Sequence, residues 1–442
     1  MTRTGTQIKS PEIPLQEKPL VAIESPFIRA PEGARTIFTV TLVVASTVLL
    51  SGLVFFGWRA AIVSLIAIAS CVVFERLYFA ARRTPALLGR SHAYLSGVLL
   101  ALTMPPFVPW YVPLTAGLIA VIVGKAIFGG VGHFLWQPAL VGRLAVTVLF
   151  PAQLICSMQY PDYGPVLASN WLVRGDVTSA KPIPQMADWK SEVVGMGHEA
   201  FLVPTPSSAL KGLTNPPIDS QTGEISPPYG GLASIPDARV KGSILMMRLQ
   251  SVSDLLIGAR PGGIGETSVV IIIVGGLYLI YRNYVKAQLP LAIILSAAAV
   301  AALGPIYLQG PDGTTIFGWG PPGGWLNFAG WWNFDKWTPP PLLSEGLDVG
   351  VTYVVSQLLS FELILAAFFL APEMTSRPVT GGGQVIFGIG VGAGAMLLKL
   401  YTNVPIPAYA AVLAMNTLTP TIDALWRPRV LGQKRLAFLR RF

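Results

Sequence analysis

The chain has 442 residues, 52% of them hydrophobic and only 12% charged, with a mean hydropathy of +0.58. That balance excludes a soluble globular protein and fits an integral membrane protein. A net charge of +9 would suggest nucleic acid in a soluble domain, but here the basic residues cluster in tails and short loops beside apolar spans, where they act as topology signals.

A polar, Pro-rich tail over 1–35 precedes the first apolar span. About 20 apolar residues cross a bilayer, and on that measure the sequence predicts ten helices. They lie near 36–57, 60–80, 92–105, 111–128, 138–156, 267–284, 288–304, 349–371, 384–401 and 407–425. The third stops at Pro105-Pro106 and reads as a short span or as a half-helix leading into irregular chain buried within the protein. Arg3, Lys9, Lys18, Arg29 and Arg35 in the first tail, Arg82, Arg83 and Arg90 after the second span, and the basic 426–442 tail fall on one side, the cytoplasm. Two long connections, 157–266 and 305–348, are then outside.

The chain divides into a five-helix half over 36–156 and a second over 267–425. The odd number in each makes any repeat inverted. Leu99-Leu100-Ala101-Leu102-Thr103-Met104-Pro105-Pro106 has a weak counterpart in Leu365-Ala366-Ala367-Phe368-Phe369-Leu370-Ala371-Pro372. Helix five, with Gln137-Pro138, then pairs with helix ten, which holds the 416–423 text. Inverted halves with Pro-broken segments put a site near the midplane; Ala/Leu-rich spans ending in proline also look alike by chance.

Charges inside a bilayer each ask for a partner. Glu362, near the middle of helix eight, is the candidate ion or proton ligand, or else one half of a buried pair with Lys399 or a neighbouring subunit. Asp423 reads as a cap or a salt-bridge partner as readily as an ion ligand. Cys71 and Cys156 stand far apart without C-x-x-C spacing, and His92, His133 and His198 lack helical spacing. Metal, cluster and bis-histidine haem sites in this chain alone therefore find no support.

The stretch 124–143, GKAIFGGVGHFLWQPALVGR, closely resembles a run shared by the membrane subunits RnfD and NqrB, GK-x-x-FGG-x-G leading into NPA-x-x-GR, with Gln137 in place of the Asn. Three further texts occur in the family's order: 99–106; GGIGETS at 262–268 with GGLY at 275–278; and 416–423. The likeness runs from about Ser96 to Asp423, and GGLYLIYR after helix six favours RnfD. The resemblance implies an all-α polytopic membrane protein, folded like urea transporters. It also implies a component that holds FMN on the outer face of a bacterial inner membrane, with electron flow coupled to Na⁺ or H⁺. The partners would be other membrane and extracytoplasmic redox subunits and the lipid bilayer, with no nucleic acid.

In that family FMN is joined to a Thr hydroxyl within Asp-Gly-x-Ser/Thr-x-Ala-Thr-Pro-Leu. Thr205, before Pro206, is the candidate here, although Glu199, Leu202 and Pro204 depart from the motif. The rival text at 176–183 matches around Val177, Thr178 and Ala180 but places Lys181, which has no hydroxyl, at the acceptor position. The turn of Gly262, Gly263, Gly265, Glu266 and Thr267 faces the flavin with free N–H groups, caps helix six, or does both. Trp319, Trp325, Trp331, Trp332 and Trp337 either wall the ring or anchor the interface. Lys125 and Arg143 are expected near the cytoplasmic ends of their helices, in packing or helix-terminus roles. Two rivals to the redox role remain: a cofactor-free channel or transporter of the same fold, and a scaffold that has lost its flavin.

Overall fold

The computed structural model describes residues 33–82, 92–130, 132–156, 252–258, 262–303, 308–309, 315–317, 347–402 and 404–426. Thr205, the rival text at 176–183 and the five loop tryptophans lie outside the described residues.

The chain is mostly helical. In the first half come α1 (Ala34–Phe56), α2 (Trp58–Ala81), α3 (Ala93–Thr103), α4 (Tyr111–Val121), α5 (Pro138–Leu149) and the short α6 (Pro151–Cys156). A π-helical turn, Ile122–Ala126, prolongs α4. Then follow the short α7 (Val252–Ile257), a 3₁₀ turn at Ile264–Glu266, α8 (Val269–Tyr281) and α9 (Gln288–Leu303). An antiparallel strand pair, Leu308–Gln309 with Thr315–Phe317, leads to α10 (Leu347–Leu359) and the brief α11 (Leu363–Leu365), which runs on as a π-helical turn over Ala366–Leu370. The chain then forms α12 (Gly381–Tyr401) and α13 (Pro407–Leu425).

By length and composition three described helices can cross a membrane, Arg35–Phe56, Trp58–Ala81 and Gly381–Leu400, and five shorter ones are apolar. Their packing is that of a membrane protein. On α2 the buried side is small, with Ala60, Ser64, Ala67, Ser70 and Cys71, while the bulky Ile62, Leu65, Val73 and Leu77 face outward. Lipid is as apolar as leucine, so helices associate through small residues and turn their large side chains to the bilayer. The α9–α12 contact follows this rule. A Cβ at Gly392 would run into the Ile293 carbonyl and the Ser296 hydroxyl.

Two segments are buried on every side and form the centre. In α3, residues from Leu99 to Thr103 are at most 1% exposed, and from Phe361 to Ala371 every residue is buried. A helix that is apolar all round belongs inside. Two expected spans differ from the sequence reading, and a third takes one of the two forms that reading gave it. The span at 349–371 is interrupted at Ser360–Phe361–Glu362, so Glu362 sits in a break rather than within a continuous helix. The span at 138–156 divides after Leu149, because Pro151 cannot donate into the preceding turn. The third span ends as a half-helix at Thr103, before Pro105-Pro106.

Candidate functional site

The site begins where α3 stops. Met104 turns to extended backbone, which leaves its carbonyl without a helical donor. The N–H of Ile264 supplies one at 2.8 Å, so the 262–267 turn is laid against the end of α3. Within that turn Glu266 closes a capping box: Gly263 N–H donates to Glu266 Oε2 at 2.8 Å and Glu266 N–H to the Gly263 carbonyl at 2.9 Å. Gly262, Gly263, Gly265, Glu266 and Thr267 are all buried. The N–H groups at 263, 264 and 266 are therefore spent inside the chain. The bonds of Glu266 serve the 3₁₀ turn itself, since α8 starts after Ser268 without a side-chain cap, and those three donors are not offered to a phosphate or a flavin ring.

The second carboxylate oxygen of Glu266 accepts a hydrogen bond from Tyr409 Oη. Tyr409 lies in the first turn of α13, and beside it Ala408 N–H donates to Glu362 Oε1 at 2.9 Å. Glu362 thus caps α13 from the break between α10 and α11, as Gln137 caps α5 by accepting from Leu140 N–H at 3.0 Å. Arg143 of α5 is 2% exposed, and its Nε and Nη1 have no hydrogen-bond partner in the structure. The groups acting on its charge are Glu266 first, then Tyr409 and Glu362. This corrects the sequence reading, which set Arg143 apart from the 262–268 turn. One guanidinium, two carboxyls and one phenol, drawn from both halves, share a buried space.

Lys399, in the last turn of α12, reaches the same break from the other side. Its ammonium donates to the Gln357 carbonyl at 2.6 Å and to Ser360 Oγ, and lies 4.3 Å from the centre of the Phe361 ring. The expected pairing with Glu362 is electrostatic rather than a direct contact: Lys399 acts on the carboxyl, while the hydrogen bond that reaches Glu362 Oε1 comes from Ala408.

Three other polar links tie the elements together. Lys125, in the π-helical turn, forms a 2.8 Å ion pair with Glu75 of α2, both nearly fully buried. Asn416 of α13, with its amide turned to suit its neighbours, accepts from Gln137 N–H and donates to the Ser376 carbonyl, both at 3.3 Å. Asp423 accepts from Val379 N–H at 3.1 Å and so holds the connection before α12, a helix capped by Thr380. The loop between Lys125 and Gln137 takes its course from Gly129, Gly130 and Gly132, at φ of 100°, 99° and 95°, a backbone region that side chains other than glycine's rarely occupy. A small cleft opens here, bordered by His92, Ser96, Lys125, Gln137 and Glu373.

Sequence reasoning missed Tyr409 and Glu75. Nothing in the text of α13 marks a tyrosine among apolar residues as the partner of a glutamate 143 positions earlier. Glu75 carried a usable signal, a lone acid in an apolar span, which calls for a cation within reach.

Residues 21–432 match the NQR2, RnfD, RnfE family. The chain is 28% identical to the D subunit of the ion-translocating oxidoreductase complex of Halorhodospira halophila, covering 94% of this chain and 96% of the relative. It is 29% identical to the protein of the same name from Stutzerimonas stutzeri, over 86% and 87% of the two chains. It is 26% identical to the D subunit of the proton-translocating ferredoxin:NAD(+) oxidoreductase complex of Clostridium ljungdahlii, over 93% and 96%.

Proposed function

We propose that this chain, which belongs to the NQR2, RnfD, RnfE family, is the D subunit of an ion-translocating oxidoreductase complex. In this reading it sits in a bacterial inner membrane, carries FMN on the outer side and joins electron transfer to the movement of Na⁺ or H⁺. The observation that carries the reading is the nearly end-to-end likeness to relatives bearing that name. Other redox subunits, in the membrane and outside it, are its partners.

The architecture that goes with this reading has ten spans in two inverted halves, both termini in the cytoplasm and a urea-transporter-like fold. Several features support it. Each half has a broken central segment, α3 and the α10–α11 pair, and each ends in a helix opened by proline, Pro138 or Pro407, and capped by an oxygen-bearing side chain, Gln137 or Glu362. The buried cluster of Arg143, Glu266, Glu362 and Tyr409 lies where such halves meet.

FMN, when bound, supplies one- and two-electron transfer. Thr205 is its attachment point in this reading. In the 262–267 turn the N–H groups at 263, 264 and 266 already have partners, so this reading uses none of those three for FMN and gives Glu266 a place at the junction between halves. Glu362 is the proposed ion ligand, buried at 6% exposure in a helix break. Membrane vesicles holding the whole complex test this. Glu362→Gln should cut ion uptake several-fold per electron transferred, and removal of the chain should abolish coupled electron flow. Wild-type uptake in Glu362→Gln removes Glu362 from the path, and coupled flow without the chain overturns the role.

A further inference from the structure

We propose that the break between α10 and α11 is a seat for one small monovalent cation, and that in this chain the seat is filled by the ammonium of Lys399. The inference rests on the reading of Glu362 as an ion ligand and gives that site a chemistry.

The last carbonyls of a helix have no partner in the helix and carry the negative end of its dipole. At the end of α10 one of them, that of Gln357, points at Lys399 Nζ across 2.6 Å. Ser360 Oγ is the second oxygen on the ammonium, and the face of Phe361 lies 4.3 Å away. Glu362 follows directly, and its carboxyl and the ammonium of Lys399 interact electrostatically. Gln357, Ser360, Glu362 and Lys399 are 2–6% exposed, and the Oγ of neighbouring Ser356, itself 2% exposed, is unpartnered in the structure.

A helix-end carbonyl and a hydroxyl, with a carboxylate nearby, gathered where a helix breaks inside a membrane, are of the donor types with which membrane proteins hold a small alkali cation. An ammonium carries the same charge and accepts the same oxygens as neighbours. Held by its own helix, it shuts out a metal ion for as long as it is present and charged. The ion step at Glu362 then proceeds without Na⁺ bound in this break.

Thermal unfolding of the purified full chain in detergent tests the seat, with NaCl compared against choline chloride at equal ionic strength. Wild type should show no Na⁺-specific response. Lys399→Ala and Lys399→Met should each gain a saturable rise in unfolding midpoint with Na⁺ that choline does not give, and adding Glu362→Gln should remove it. An equal Na⁺-specific rise in wild type, or folded Lys399 variants that respond alike to both salts, would overturn the seat. Should neither neutral variant accumulate in cells, Lys399→Arg serves as the folded control: rescue of the neutral variants by Na⁺ supports the seat, and equal failure with and without Na⁺ makes Lys399 a helix cap only. None of these readouts needs a flavin, so loss of the redox reading would leave them standing.

Discussion

Lys125 and Glu75 show how a single contact inside a membrane is constrained. The pair is 2.8 Å apart and 4% and 3% exposed, so each charge depends on the other. Removing one partner of such a pair costs about 3–5 kcal/mol, whereas replacing both by apolar residues of similar volume is often nearly neutral. Glu75→Ala should therefore lower the midpoint of detergent unfolding sharply, and Glu75→Leu combined with Lys125→Met should recover most of the loss. Additive losses in the double variant would show that the pair is not the stabilising unit. Glu373, in the connection before α12, offers a test against pH. Its packed surroundings push the carboxyl up to about 7, against the cation of Arg377, from an ordinary value of 4.5. The folded state then holds its proton where the unfolded chain has released it, so this group's contribution to stability falls as pH rises from 4.5 to about 7. Partial exposure of the side chain moderates the effect. Glu373→Gln should unfold at a higher temperature than wild type at about pH 8 and match it at about pH 4; a difference of the same size at both values would contradict the assignment. In the sequence Lys125 and Arg143 read as packing or helix-terminus residues. Nothing there paired them with Glu75 or with the 262–267 turn, since these come from elements distant along the chain.

Among the elements, α9 and α12 pack through backbone contact at Gly392. Adding one methyl group there presses on a carbonyl that has no free path to move, and overpacking of this kind typically costs about 1–3 kcal/mol. Gly392→Ala should lower the unfolding midpoint, while Leu291→Ala, on the exposed side of α9, should change it little. Equal effects from the two would mean that the faces have been misassigned. The half-helix α3 was legible because Pro105-Pro106 removes two donors in succession. The matching break at 360–362 was hidden, since Ser360-Phe361-Glu362 holds no proline or glycine and lies within a stretch long and apolar enough to read as one span. Tertiary contacts make that break: Lys399 takes the Gln357 carbonyl, and Glu362 turns away to cap α13. The division of the fifth span could have been read from Pro151.

For the whole molecule, hydropathy alone was enough to set the class, and four separated texts in order pointed to the family to which the chain belongs. The buried junction of Arg143, Glu266, Glu362 and Tyr409 was not legible, because it is assembled from four elements across both halves and nothing in their local text links them. The sequence left Glu266 open to facing a flavin, capping helix six or both; in the structure it bonds to Gly263 N–H and Tyr409 Oη in that junction, and the covalent flavin claim rests on Thr205. In-gel fluorescence of the denatured chain, expressed with an active flavin transferase beside Thr205→Ala and Thr178→Ala, tests that claim most directly. The account predicts a fluorescent band in wild type and in Thr178→Ala that is dark in Thr205→Ala; a dark wild type beside a fluorescent control protein would contradict it.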